Sequence, residues 1–259
     1  RGALPPIARH MSPASKSTST RSKTKSKAKA GKTPQTGPLR RVLRWAARGA
    51  VAICACFVLA VLLLNWVNPP TNLYMMSESR RLGGVKQEWV ALTQINPAMA
   101  RSVVAAEDAN FCNHWGFDLP AIKAAIEAGS NRGASTITQQ TVKNVLLWHG
   151  RTWIRKALEA GLTPLVEAIW SKSRIIEVYL NVAEFDEGVF GVKAAADHYF
   201  GVTPDRLSDA QAARLAAILP APKTRSASDP SATTRKRAAS IQDGAATIRA
   251  DGRSACFES

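Results

Sequence analysis

Nineteen consecutive residues, Gly49 to Val67, carry no charge. As an α-helix that run rises about 28 Å, close to the hydrocarbon thickness of a bilayer. Trp45 and Trp66 flank it, as interfacial tryptophans flank membrane spans. A buried core helix is the plain alternative, and the unbroken lack of charge argues against it. A cleavable leader is the second alternative, but Asn65-Trp66-Val67-Asn68-Pro69 offers no small-x-small site, which favours an uncleaved anchor. Arg40, Arg41, Arg44 and Arg48 crowd the N-terminal flank alone. That asymmetry assigns residues 1–48 to the cytoplasm and everything after Val67 to the outside.

The anchor also separates two charge regimes. Of the formal net charge of +16, residues 1–48 supply 13 Lys and Arg with no Asp or Glu, and the rest nets only +3. The basicity therefore belongs to an arm and says little about the folded part. Residues 12–38 are almost wholly Ser, Thr, Lys, Ala, Gly and Pro, too polar to offset ordering entropy, and are expected to be disordered. The arm suits anionic lipid headgroups better than nucleic acid, and no nucleic-acid partner is expected. Met11 is a candidate start residue. The content of apolar and charged residues, 46% and 21%, excludes a wholly disordered or collagenous chain. Cys54, Cys56, Cys112 and Cys256 match no metal spacing and no disulfide framework. Cys112 and Cys256 are not expected to pair.

Beyond the anchor the periodicity is helical throughout, over roughly 97–108, 119–129, 136–149, 152–170, 172–183, 191–200 and 208–219, with no convincing strand and no repeats. Pro97 fits a first helical turn, and Thr136 with Gln139 and Ser208 with Gln211 read as capping boxes. Gly150 and Gly201 are expected to close helices. The organisation is a basic arm (1–48), an anchor (49–67), a mainly α domain (70–225) and a weakly ordered tail (226–259), a weak terminal helix or a frayed end.

Several positions carry candidate chemistry. Glu107 and Asp108 end an apolar helix, where the negative end of the macrodipole disfavours acids. Crowding two of them beside an apolar run should raise the pKa of at least one. A solvated helix end is the bland reading. Asn131 to Gln140 is a glycine turn entering a helix N-terminus, a natural phosphate site, although a merely well-capped helix is commoner. Lys143, Arg151, Arg155 and Lys156 add four cations close behind it, which suits a pyrophosphate. Glu159 follows Arg155 by four positions and Lys156 by three. It is either an exposed ion pair of little consequence or a second acid facing the first. Two carboxylates in different environments are what chemistry at an anomeric carbon requires.

In order along the chain, these segments resemble the peptidoglycan glycosyltransferases, the family shared with class A penicillin-binding proteins. Glu107-Asp108-Ala109-Asn110-Phe111-Cys112-Asn113-His114-Trp115-Gly116 resembles the first motif, and Gly133 to Gln140 with Lys143-Asn144 the second. Arg155-Lys156-Ala157-Leu158-Glu159 resembles the third, Lys172 to Asn181 the fourth, and Leu207 to Pro222 the closing segment. The length leaves no room for a transpeptidase domain, which points to the monofunctional members of Gram-negative bacteria. Gln211 stands where a glutamate is usual, and Asp186-Glu187 replace small residues.

The resemblance implies a lysozyme-like α fold that polymerises lipid II in the bacterial inner membrane, with its catalytic domain in the periplasm. Glu107 would be the general base and Glu159 a second catalytic carboxylate at the leaving group. Ser135, Gln139, Gln140, Lys143, Asn144, Arg151 and Lys156 would bind the pyrophosphate substrate, and Asp108 would shape the surroundings of Glu107. No cofactor is required by the sequence. A divalent cation, magnesium or manganese, could sit at Glu159, but no ligand cluster demands one. Partners would be lipid II, the nascent glycan chain, the membrane and other cell-wall synthesis or division proteins. A phosphate-binding arginine within 223–259 cannot be placed. Trp115, Phe117, Leu119 and Ile122 fit either the membrane interface or the core. The rival readings are a membrane-bound muramidase or lytic transglycosylase, which has no use for the cation cluster, and a non-enzymatic scaffold, in which Glu107→Gln changes nothing.

Overall fold

The computed structural model describes residues 38–127, 129, 135–150 and 152–258. The chain divides into two units, residues 1–47 and 48–259. In the first, residues 38–47 are helical, the opening turns of α1 (Pro38–Leu64). Within the second, α1 continues to Leu64, and the whole helix is long and apolar enough to cross a membrane. Only Val61 of this helix is buried. Its end is held: Trp170 Nε1 donates to Val61 O (2.7 Å), and the Arg174 guanidinium donates to Leu64 O (2.8 Å), Val67 O (3.1 Å) and Asn68 Oδ1 (2.8 Å). A cation thus satisfies carbonyls that the helix itself leaves without donors.

The rest is mainly α. After α2 (Leu73–Leu82), strand β1 (Lys86–Gln87) and α3 (Pro97–Glu107) come α4 (Leu119–Glu127), α5 (Ile137–Leu146), α6 (Trp153–Ile169) and α7 (Lys172–Val182). Strands β2 (Glu184–Asp186) and β3 (Val189–Phe190) follow, then α8 (Val192–Phe200), α9 (Asp209–Ile218), α10 (Ala232–Ala250) and α11 (Ala255–Glu258). The seven periodic segments correspond to α3–α9. Both capping boxes form, at Thr136–Gln139 and Ser208–Gln211. A glutamine therefore does at 211 the capping that an N3 glutamate does elsewhere. Gly201 closes α8 in the left-handed conformation. Gly150 does not close α5, which already ends at Leu146.

Periodicity missed α2 and the small sheet, whose strands have only two or three residues. Its order is β1-β3-β2, with β1 parallel and β2 antiparallel to β3. Asp186 and Glu187, at the β2–β3 turn, have partners: Asp186 Oδ2 lies 3.0 Å from His198 Nε2, and Glu187 accepts from Arg81 of α2 at 2.7 Å.

Residues 226–259 were expected to be weakly ordered, yet α10 packs along α3 and α9. Its buried Ala238, Ile241, Ala245 and Ile248 recur at three and four positions, one helix face, against the buried Ala212, Ala213, Ala216 and Ala217 of α9. Small side chains let the axes approach. A Cβ on Gly244 would lie 3.2 Å from that of Ala105. A helix can be this alanine-rich and still be anchored, because close backbone approach replaces bulky apolar groups.

The expectation for Cys112 and Cys256 is also overturned: they form a disulfide. Segment 251–258 folds back onto the turn Phe111–Asn113, which brings the two cysteines together.

Candidate active site

α3 delivers Glu107 and Asp108 at its end, and the two carboxylates diverge. Asp108 turns inward. Its Oδ2 accepts the backbone N–H of Ile137, the first residue of α5 (3.0 Å), and its Oδ1 lies 2.8 Å from His114 Nε2. His114 Nδ1 accepts from Gly116 N (3.1 Å), so Nε2 is the protonated nitrogen that donates to Asp108. The Gly116 carbonyl accepts from Thr136 Oγ1 (2.7 Å). Gly116 must be glycine: φ is +79°, and a Cβ would lie 2.3 Å from Thr163 Cγ2. The loop after α3 is thereby laced to the start of α5.

This lacing changes the role of the α5 N-terminus. Asp108 takes the Ile137 N–H, and Thr136 Oγ1 accepts from Gln139 N at 3.2 Å. These donors face an internal carboxylate and a cap, so the helix start is not the open phosphate cradle that the glycine turn suggested. Gln139 belongs to that cap, accepting from Thr136 N at 3.0 Å, and is buried.

Glu107 stays at the cleft. Gln140 Nε2 donates to its Oε2 at 3.1 Å, and Arg237 Nη2 stands 3.5 Å from its Oε1. Burial is the largest influence and pushes the Glu107 carboxyl above its ordinary value, with the Asp108 charge adding to the rise and Gln140, Arg237 and Lys143 opposing it. Tyr179, fully buried on α7, donates to Gln140 Oε1 at 3.3 Å and fixes which way that amide points.

Glu159, on α6, is buried too, but between cations. Arg155 Nη1 donates to its Oε2 at 2.6 Å, and Lys156 Nζ pairs with its Oε1. Lys156 also reaches Ser135 Oγ at 3.5 Å. Lys143, one turn beyond Gln140 on α5, feels both carboxylates. Burial and the charges of Arg155 and Lys156 depress its pKa, while Glu159 and Glu107 pull it up. Its ammonium has no hydrogen-bond or ion-pair partner among the described residues. With Gln140, Asn144, Tyr179, Tyr74 and Glu184, Lys143 lines a cavity of about 200 Å³. Glu107, Gln140 and Lys143 thus lie together, with Ser135, Lys156 and Glu159 as a second group that Lys143 links to them. Arg151 lies outside the described residues.

Arg237, on α10, is the residue that sequence reasoning missed. Besides Glu107 it donates to Ala106 O (3.3 Å), a terminal carbonyl of α3, and its Nε is buried with no partner among the described residues. A signal was present. Arg235, Lys236 and Arg237 put three cations in a row on α10, within the segment where the resemblance left a phosphate-binding arginine unplaced.

Neither candidate cation position fits a divalent ion. Both Glu159 oxygens already face cations. Asp108, His114 and Asp118 bring ligand atoms within 4.8 Å of one another, but those atoms are engaged. Asp118 accepts from Ala121 N and Asn110 Nδ2, both at 2.9 Å, and Asp108 holds His114 and α5. An ion there would have to open the starts of both α4 and α5.

An apolar, catalytically furnished α domain behind a membrane-length helix has clear relatives. The transglycosylase family model matches residues 75–245, running through most of α10. A biosynthetic peptidoglycan transglycosylase of Jannaschia sp. (strain CCS1) is 56% identical over 214 residues, covering 83% of this chain and 90% of that protein. Proteins of the same description from Pseudomonas entomophila (strain L48) and Yersinia pseudotuberculosis serotype O:3 (strain YPIII) are 48% and 44% identical, covering 79% and 71% of this chain and 88% and 81% of their own. The chain belongs to the transglycosylase family, with its lysozyme-like α domain, and is a peptidoglycan glycosyltransferase.

Proposed function

We propose that the enzyme extends glycan strands from lipid II, with Glu107 as general base. Glu107 takes the proton from the 4-hydroxyl of the acceptor's N-acetylglucosamine as that oxygen attacks the anomeric carbon of the growing chain's N-acetylmuramic acid. The bond from that carbon to the undecaprenyl pyrophosphate breaks, its electron pair leaves with the phosphate, and the α link becomes β-1,4. The observation that carries this reading is the desolvated Glu107, raised in pKa and oriented by Gln140, beside the ammonium of Lys143, which has no partner among the described residues. A base needs that proton affinity, and a departing pyrophosphate needs preorganised donors.

Lys143 and Arg151 would receive the pyrophosphate charge, helped by Ser135, Gln140, Asn144 and Lys156. Arg237 joins them, since its buried Nε has no partner among the described residues to give up. Glu159 acts by holding Arg155 and Lys156 in place. Asp108 acts through α5 and the loop, and Gln139 through the cap.

The Arg-rich side of α1 would face the cytoplasm and the enzymatic domain the periplasm. The disulfide supports that orientation, because such bonds persist in oxidising compartments. The helix α4 buries none of its residues, although Leu119 and Ile126 are apolar and exposed, as are Trp115, Trp153 and Ile154. That surface suits the membrane interface where lipid II keeps its headgroup. The test is polymerisation of labelled lipid II by purified protein in detergent. Polymer that muramidase degrades, absent with Glu107→Gln, is the expected result. Intact lipid II alongside cleavage of finished glycan strands would instead favour the lytic reading.

A further inference from the structure

Segment 251–258 is tied to the turn that follows Glu107 at three points and to Arg101 of α3 at a fourth. Cys256 is disulfide-bonded to Cys112. The Phe257 ring, itself buried, lies 6.2 Å from that of Phe111. Arg253 Nη1 donates to Ala109 O at 3.1 Å, and Glu258 pairs with Arg101 of α3 at 2.9 Å. Between these attachments runs the loop in which His114 holds Asp108, and Asp108 holds the first N–H of α5. The loop's own apolar anchor is the buried Phe111, against which Phe257 of the segment lies, while Trp115 is exposed.

We propose that the Cys112–Cys256 disulfide is a positioning element for glycosyl transfer, keeping the 108–114 loop, and through it Asp108 and α5, in the arrangement that desolvates Glu107. It makes the transferase sensitive to dithiol reductants. A reductant thiolate attacks one sulfur to give a mixed disulfide, and its second thiol displaces the cysteine. Two electrons and two protons pass to the pair, leaving Cys112 and Cys256 as thiols and the reductant as a cyclic disulfide. Segment 251–258 then keeps only its non-covalent contacts, the loop relaxes, and water reaches Glu107.

This inference rests on Glu107 being the base, and its test separates the two. Oxidised wild type, wild type in dithiothreitol and a Cys112→Ser/Cys256→Ser variant are compared in the lipid II assay well below their melting temperatures. The reduced enzyme and the variant are expected to lose about 10- to 100-fold in kcat, the scale of a misplaced catalytic group, with KM nearly unchanged. The acid limb of their kcat profile should move down in pH as Glu107 gains water, and dithiothreitol should not affect the variant further. A variant that melts lower but keeps the wild-type kcat and acid limb would reduce the disulfide to a structural staple and overturn the inference. Hydrogen exchange reads the same device without substrate. Opening the bond should speed exchange at residues 109–116 and Ile137, and unchanged protection there would also overturn it. If oxidised wild type makes no polymer, the proposed reaction fails, and the exchange experiment still decides on the disulfide.

Discussion

Glu107 and Glu159 are both withdrawn from water, and their neighbours give them opposite characters. Glu159 has an arginine on one oxygen and a lysine on the other, so each oxygen is already paired with a cation. Glu107 has an amide on one oxygen and a guanidinium only at the limit of contact on the other. Burial therefore dominates Glu107 and raises its pKa. One carboxylate organises cations while the other stays available for a proton, the division that paired-acid sites use elsewhere.

The comparison is broken most directly at Glu107. Glu107→Gln keeps the shape and removes the base, so kcat should fall by about 10²–10⁴-fold. The same variant should melt no lower than wild type, because the ionised carboxylate is the form that burial penalises. Lys143→Met removes the cation between the acids and is expected to cost roughly 10²–10³-fold in kcat, the scale for one preorganised donor to a developing anion. Glu159→Gln should act differently, mainly through stability. It strands two cations and should cost about 2–3 kcal/mol in a denaturant titration, below the ~3–5 kcal/mol of a fully buried pair, because Lys156 is nearly half exposed. A Glu159 variant that lost activity with unchanged stability would overturn this contrast.

The finest test is the pH profile. Glu107 works ionised, so activity is lost as pH falls through a pKa lying above the ordinary 4.5. Lys143 works protonated, so activity is lost as pH rises through a pKa lying below the ordinary 10.5. The bell should be narrower than free side chains would give on both sides. Residual activity of Glu107→Gln should lack the acid limb, and that of Lys143→Met the alkaline one.

Two helices show what the sequence conveyed and what it did not. In α4, Leu119 and Ile122 fit either the membrane interface or the core by sequence, and nothing in the helix is buried. The residues of α10 read as a polar tail, yet it holds five buried positions. Periodicity locates a helix. Which face finds a partner depends on complementary shape, here alanines and Gly244 meeting α3 and α9. The same logic governs the site. Glu107 was legible because it breaks the dipole rule at the end of α3. Arg237, in the second turn of α10, breaks no such rule, and only folding brings its Nη2 to 3.5 Å from Glu107 Oε1. The disulfide was illegible for a related reason, since no spacing rule joins cysteines 144 positions apart.

The grip of Arg174 and Trp170 on the end of α1 has a mechanical consequence. A leashed domain would bob and tilt, sampling many heights over the lipid surface. Clamped at Val61, Leu64 and Val67, the end of α1 is instead a stiff joint to the domain that follows it. With α1 crossing a bilayer, such a joint would hold the proposed base, Glu107, at a set height above the lipid surface.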